Sequence, residues 1–118
     1  MNGVPEDLDL SGFSGLAVNM VCIDEAQVQI HFERDHFVGI EGAWELIDSS
    51  GQVVGGRVRG QSNPESKAEL LLGRRVLGHT VSPPDWFELQ FEDGIALRVY
   101  DDSQQYESFS IQPGHIFV

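Results

Sequence analysis

Few residues in this chain have the types and spacing that chemistry requires. A single cysteine, Cys22, is the one candidate thiol nucleophile. Its neighbours in "VNMVCID" supply no base, whereas an activated thiolate needs a cationic or helix-terminal neighbour. Cys22 therefore reads as a buried structural residue. The four histidines, His31, His36, His79 and His115, follow no spacing known for metal ligands. Strand alternation turns His31 outward, and His36 stands beside a turn. The doublets Asp24-Glu25 and Asp101-Asp102 offer oxygen ligands to calcium, but neither sits in a recognised loop pattern and both read as turn residues. Gly51, Gly55, Gly56 and Gly60 do not form a phosphate loop, because no strand, lysine-serine pair and helix follow in order. A pair of carboxylates could divide acid and base roles across a cleft, yet among 19 acids no pair is singled out. The expectation is a non-enzymatic protein without metal or cofactor.

The elements that would position any site come from a pattern stated twice. "HFERDHFVGI" from His31 has its counterpart in "QFEDGIALRV" from Gln90. Val28, Ile30, Phe32, Val38 and Ile40 match Phe87, Leu89, Phe91, Leu97 and Val99 at an offset of 59. Upstream, "GLAVNMV" from Gly15 matches "GRRVLGH" from Gly73 at an offset of 58, the slip of one falling near Pro83-Pro84. Downstream, "WELI" from Trp44 matches "YESF" from Tyr106 at an offset of 62, which implies three added residues around Asp102. The chain reads as one domain with an internal repeat, residues 15–47 and 73–111, each half a β-meander.

Side-chain parity sets the register of each hairpin. A two-residue turn at Asp93-Gly94 would place large apolar groups on both faces of the sheet. A three-residue loop, Glu92-Asp93-Gly94, instead pairs Phe91 with Ile95, Leu89 with Leu97 and Phe87 with Val99, all on one side. The opposite side then carries Glu88 beside Arg98 and Trp86 beside Tyr100, a charge-complementary and an aromatic cross-strand pair. The same rule makes Glu33-Arg34-Asp35 the first loop, pairs Ile30 with Val38 and Val28 with Ile40, and requires Asp35 to adopt the left-handed conformation.

Between the halves, "QSNPESKAELLLGRR" has helix signals: Ser62 or Asn63 as cap, Pro64 in the first turn, Glu65 at the positive end of the dipole and Gly73 as stop. A short helix near residues 64–72 is expected, with Leu70, Leu71 and Leu72 covering an open end of the sheet. "PEDLDLSGFSG" has room for one turn of helix at most. Val53, Val54 and Val58 lie among turn residues and form either a third, twisted strand or a loop. The fold expectation is mainly β, α+β through that one helix, as two pseudo-repeated antiparallel meanders in a sandwich or partly open barrel.

The balance of 7 basic against 19 acidic residues, a formal charge of −12, repels phosphate backbones and disfavours direct nucleic-acid binding. Residues 1–56 carry 10 acids and one base, residues 57–75 carry 2 acids and 5 bases, and residues 76–118 carry 7 acids and one base. Two acidic halves thus flank a mildly basic connector. One cysteine excludes an intramolecular disulfide, and "MNGVPEDLDL" lacks the features of a secretory signal, so a cytoplasmic location without membrane association is expected.

The repeated series Gly15, Val18, Val21, Asp24, Val28, Ile30, Phe32 with "GIEGAWEL", and Gly73, Val76, Leu89, "FEDGIAL", Val99 with "YESF", resembles a bacterial family catalogued as a domain of unknown function. The likeness spans nearly the whole chain but consists of β-sheet positions. It implies small acidic cytoplasmic β proteins without assigned catalytic residues.

An acidic β domain suits docking on a basic surface, in the manner of an immunity protein or inhibitor of a toxin or nuclease. The expected partner site is Trp86 and Tyr100 with Asp85, Glu88, Asp101 and Asp102 around them, large amphipathic rings giving area and acids giving specificity. A competing expectation covers the two rings and makes them a second small core. The alternative function is a small-ligand-binding or subunit-assembly module, with a homodimer burying a sheet edge.

Overall fold

The computed structural model describes residues 4, 8–23, 27–57, 67–100, 109–112 and 116–117. They form ten strands: β1 Val18–Ile23, β2 Val28–Phe32, β3 Phe37–Ile40, β4 Trp44–Ile47, β5 Val53–Arg57, β6 Val76–Ser82, β7 Trp86–Phe91, β8 Ala96–Tyr100, β9 Phe109–Gln112 and β10 Ile116–Phe117. Two five-stranded sheets result, in the orders β1-β2-β3-β9-β10 and β5-β4-β8-β7-β6, with every pairing antiparallel. Each sheet takes three strands from one half of the chain and two from the other. The meanders are therefore not separate layers; each lends its last two strands to its counterpart.

Both hairpins have the register that parity requires. Val28 pairs with Ile40 and Ile30 with Val38 in the first. In the second, Phe87 pairs with Val99, Glu88 with Arg98 and Leu89 with Leu97. The loops close through Phe32 N–H to His36 C=O at 2.9 Å and Phe91 N–H to Ile95 C=O at 2.7 Å. In each loop two consecutive residues are left-handed: Arg34 and Asp35, both at φ 60°, and Asp93 at 65° with Gly94 at 78°. Asp35 takes the role that glycine fills in the second loop, as expected, and its predecessor is left-handed too.

The halves meet about a local two-fold axis. Ala17 and Arg75, equivalent in the repeat, form an antiparallel bridge with each other. Val18 N–H donates to Arg74 C=O and Val76 N–H to Leu16 C=O, both at 3.0 Å. Gly15 N–H donates to Val76 C=O at 2.8 Å and Gly73 N–H to Val18 C=O at 2.9 Å. Gly15 and Gly73 reach these acceptors from left-handed conformations, φ 83° and 79°, that glycine adopts without steric cost. Such an exchange of equivalent bonds is the signature of a two-fold. Glu33 and Glu92 clamp it: their carboxylates accept the N–H of Ala17 and of Arg75, each at 2.9 Å. Beneath the bridge, Phe32 and Phe91 stack at 6.3 Å with an interplanar angle of 14°. The inner faces of both sheets belong to one apolar cluster, including Ile30, Val38 and Ile40 from the first and Trp44, Leu46, Leu89 and Leu97 from the second.

Two expectations change, and one left open is settled. No α-helix occurs among the described residues; the connector contributes one 3-10 turn, Ala68–Leu71. Lys67 is left-handed at φ 65° and Leu72 is extended, so the turn is bounded on both sides. Leu71 is buried, while Leu70 and Leu72 are exposed. The turn is the counterpart of Ser11–Phe13, whose Phe13 is likewise buried; Pro64 and the expected caps lie outside the described residues. The repeat also closes differently. β4 pairs with β8 as β9 pairs with β3, which equates Trp44 with Phe109 and Leu46 with Ile111, 65 positions apart rather than 62. "WELI" thus corresponds to "FSIQ" and not to "YESF", because the inward positions are Leu46 and Ile111, both buried. Finally, Val53–Arg57 forms a strand, β5, paired with β4. Val58 and residues 59–60 lie outside the described residues.

Phe32→Ala and Phe91→Ala should each cost about 3–5 kcal/mol in urea unfolding. The double variant should cost less than the sum, because the rings touch each other. The clamp also has a pH signature. The hydrogen bond from Ala17 N–H holds the Glu33 carboxyl below its ordinary 4.5 against the opposing effect of burial, with Arg75 nearby adding to the depression. A depressed folded pKa gives stability above the unfolded value that is lost as pH falls through the folded one. Stability should therefore decline on acidification below about pH 4.5, and Glu33→Gln should flatten that part of the pH–stability curve.

Candidate functional site: the outer face of the second sheet

In β7 and β8 every second residue leaves the core. The outward set is Trp86, Glu88 and Gln90 on β7 with Ala96, Arg98 and Tyr100 on β8. β4 runs along the other side of β8 and adds Glu45, directly opposite Arg98. One row across the sheet is consequently Thr80, Glu88, Arg98 and Glu45, with the cation between two carboxylates. Trp86 and Tyr100 face each other in the next row.

Most polar groups in this row have partners. Arg98 donates to Glu88 Oε1 from Nε at 3.1 Å and lies 2.9 Å from it through Nη2. The guanidinium carbon sits 4.1 Å from the Trp86 ring centroid, a stacked cation–π geometry. Gln90 Nε2 donates to Glu88 Oε2 at 2.6 Å and to Thr80 Oγ1 at 3.1 Å. The Tyr100 hydroxyl donates to Glu45 Oε1. Burial alone would lower the Arg98 pKa, but hydrogen bonds with Tyr100 and Glu88 more than offset it, so the pKa is raised. Burial and the bond to Glu45 push the Tyr100 phenol above its ordinary 10.0, against the pull of Arg98. The result is a set of rings and carboxylates fixed on rigid strands.

Of the residues expected to form a partner site, the structure brings Trp86, Glu88 and Tyr100 together. Asp85 is exposed in the turn before β7, and Asp101 and Asp102 lie outside the described residues. The rings are neither bare nor covered as a second core: both are half-buried, with Arg98 lying over Trp86. Glu88 is not a free acid, its side chain being 13% exposed and ion-paired. Glu45 and Gln90 are additions. Glu45 left no signal in sequence, since its partner strand comes from the other half of the chain.

The remaining candidates separate. His31 faces outward on β2, as alternation requires, while the His36 ring packs edge-on against Phe13 at 4.9 Å. His79 is exposed on β6, and His115, Asp24 and Glu25 lie outside the described residues. Cys22 is not buried but exposed, because it points outward from β1, the edge strand of its sheet. Among the described residues, no three His, Cys, Asp or Glu side chains are grouped to hold a metal ion, and no helix is long and apolar enough to cross a membrane. No family model, curated protein or solved structure matches the chain.

Glu45→Gln should lower the Tyr100 pKa toward 10.0, because the bond to a charged carboxylate favours the protonated phenol. Spectrophotometric titration of the wild type should show one of its two tyrosines ionising late. Equal midpoints in wild type and variant would contradict the assigned bond.

Proposed function

We propose that this is a non-enzymatic, cytoplasmic binding protein, an immunity protein or inhibitor that docks an acidic face on a basic toxin or nuclease. The observation that carries the reading is the outer face of the second sheet, where Trp86 and Tyr100 lie beside carboxylates already held in position. Immobilised side chains lose little entropy when a partner arrives, so each contact retains more of its energy. Half-buried Trp and Tyr are the side chains that most often dominate an interface. Exposed Asp85 extends the face, and Asp101 and Asp102 follow Tyr100 directly in the chain. The net charge of −12 steers a basic partner toward the molecule and repels nucleic acid.

The test is to look for a gene encoding a basic toxin domain beside that of this protein and to co-express the two. Growth should be restored, and the purified pair should associate more slowly as salt rises, with dissociation changing far less, because steering is screened beyond roughly 8 Å at physiological ionic strength. Trp86→Ala should weaken the complex by about 2 kcal/mol or more while the domain stays folded. Unchanged toxicity, or an association rate indifferent to salt, would remove the reading.

A further inference from the structure

The outer face of the first sheet differs from that of the second in a way the repeat makes legible. Its outward residues are Met20 and Cys22 on β1, Gln29 and His31 on β2, and Phe37 and Gly39 on β3. None is acidic, in a chain of charge −12. Met20 and Cys22 are two residues apart on one strand and share a face; His31 is the cross-strand partner of Met20, and Gln29 that of Cys22. Directly opposed side chains have Cβ atoms about 4.5–5.5 Å apart, and diagonal neighbours remain within reach of long side chains. A thioether, a thiol and an imidazole are thus neighbours on one open patch, Met20 being 47% exposed and Cys22 also exposed.

The repeat supplies an internal control. The equivalent positions of the second sheet hold Gly78, Thr80 and Gln90, in the same pairing around an equivalent bulge. The architecture therefore does not require sulfur or imidazole at these sites. His31 is also oriented. Its ring packs against Phe37 at 5.0 Å, and Gln29 Oε1 lies 3.4 Å from Nε2. A proton on Nε2 shared with that oxygen leaves the lone pair on Nδ1, the arrangement in which a ligating histidine is held by its other nitrogen.

We propose that Met20, Cys22 and His31 form a surface site for Cu(I). Thiolate and thioether sulfur select this soft ion, and imidazole completes a three-donor set, whereas calcium and magnesium sites draw on carboxylates, of which these outward positions hold none. Binding forms one Cu–S bond to Cys22 and releases its thiol proton to solvent, with no change in oxidation state.

The reduced full-length protein, titrated anaerobically with Cu(I) against a chromophoric chelator, should take up one ion per chain and remain monomeric. Cys22→Ser should abolish competition with the chelator. Met20→Leu and His31→Gln should each weaken binding at least as much as the roughly 10–100-fold that loss of a mere supporting group costs a metal site. All three positions face solvent, so circular dichroism should report folded variants. Undiminished binding by Cys22→Ser would overturn the site. So would wild-type affinity in both other variants, which would reduce it to a lone thiol, or one ion shared between two chains.

Discussion

The structure depends on a short exchange of backbone hydrogen bonds about the Ala17–Arg75 bridge. Four equivalent bonds at 2.8–3.0 Å join the start of one meander to the start of the other, and the Glu33 and Glu92 carboxylates close the ladder from the hairpin loops. This explains why Phe-Glu recurs at residues 32–33 and 91–92. The phenylalanine meets its counterpart across the axis, and the glutamate satisfies the N–H that would otherwise face the edge of the bridge. Burial of the stacked rings supplies the apolar gain, and the carboxylates remove an unsatisfied donor on each side.

That constraint dictates the rest of the topology. With the two starts bound head to head, β3 and β8 each present a free edge to the other half, and β9 and β4 fill them. The swap forces each half to complete the other's sheet, so the core is common to both. The mildly basic end of the connector serves the same junction. Arg75 donates to Gly15 C=O at 2.9 Å and approaches Glu33 at 3.3 Å. Arg74 donates to Leu70 C=O at 2.7 Å and pairs with Asp93.

The two outer faces show how a repeated scaffold acquires different surfaces. The inward positions are bound by packing and stay large and apolar in both halves. The outward positions are free to change, and one sheet carries Glu88, Arg98 and Glu45 where the other carries Gln29, Gly39 and Ser110. Divergence is confined to the side that the core does not police. On both faces some of the side chains that meet do so across strands, as His31 does with Met20 and Arg98 with Glu88, and a scan for ligand spacing along the chain passes over such pairs.

What the sequence determined by itself is local. Alternation over five or six residues settles which side chains face inward, and the loop length that keeps Phe91, Leu89 and Phe87 on one side settles the register. The Trp86–Tyr100 and Glu88–Arg98 pairs followed from the residue string without any tertiary knowledge. What only the tertiary structure decided is which strand lies beside which. Nothing in "WELI" states that its neighbour is β8 of the other half, so Glu45 carries no local signal of the site and an offset of 62 sets the last strand of the repeat three residues early. The exposure of Cys22 is hidden for the same reason, since a hydrophobic string does not say that its strand is an edge. Over its described part the helix expected near 64–72 gives way to the 3-10 turn Ala68–Leu71, beside which the two-fold bonds hold Gly73 and Arg74 to Val18. Parity is a property of one strand and its hairpin, whereas strand partnership is a choice among distant edges, made by the shared core and the bridge at Ala17 and Arg75.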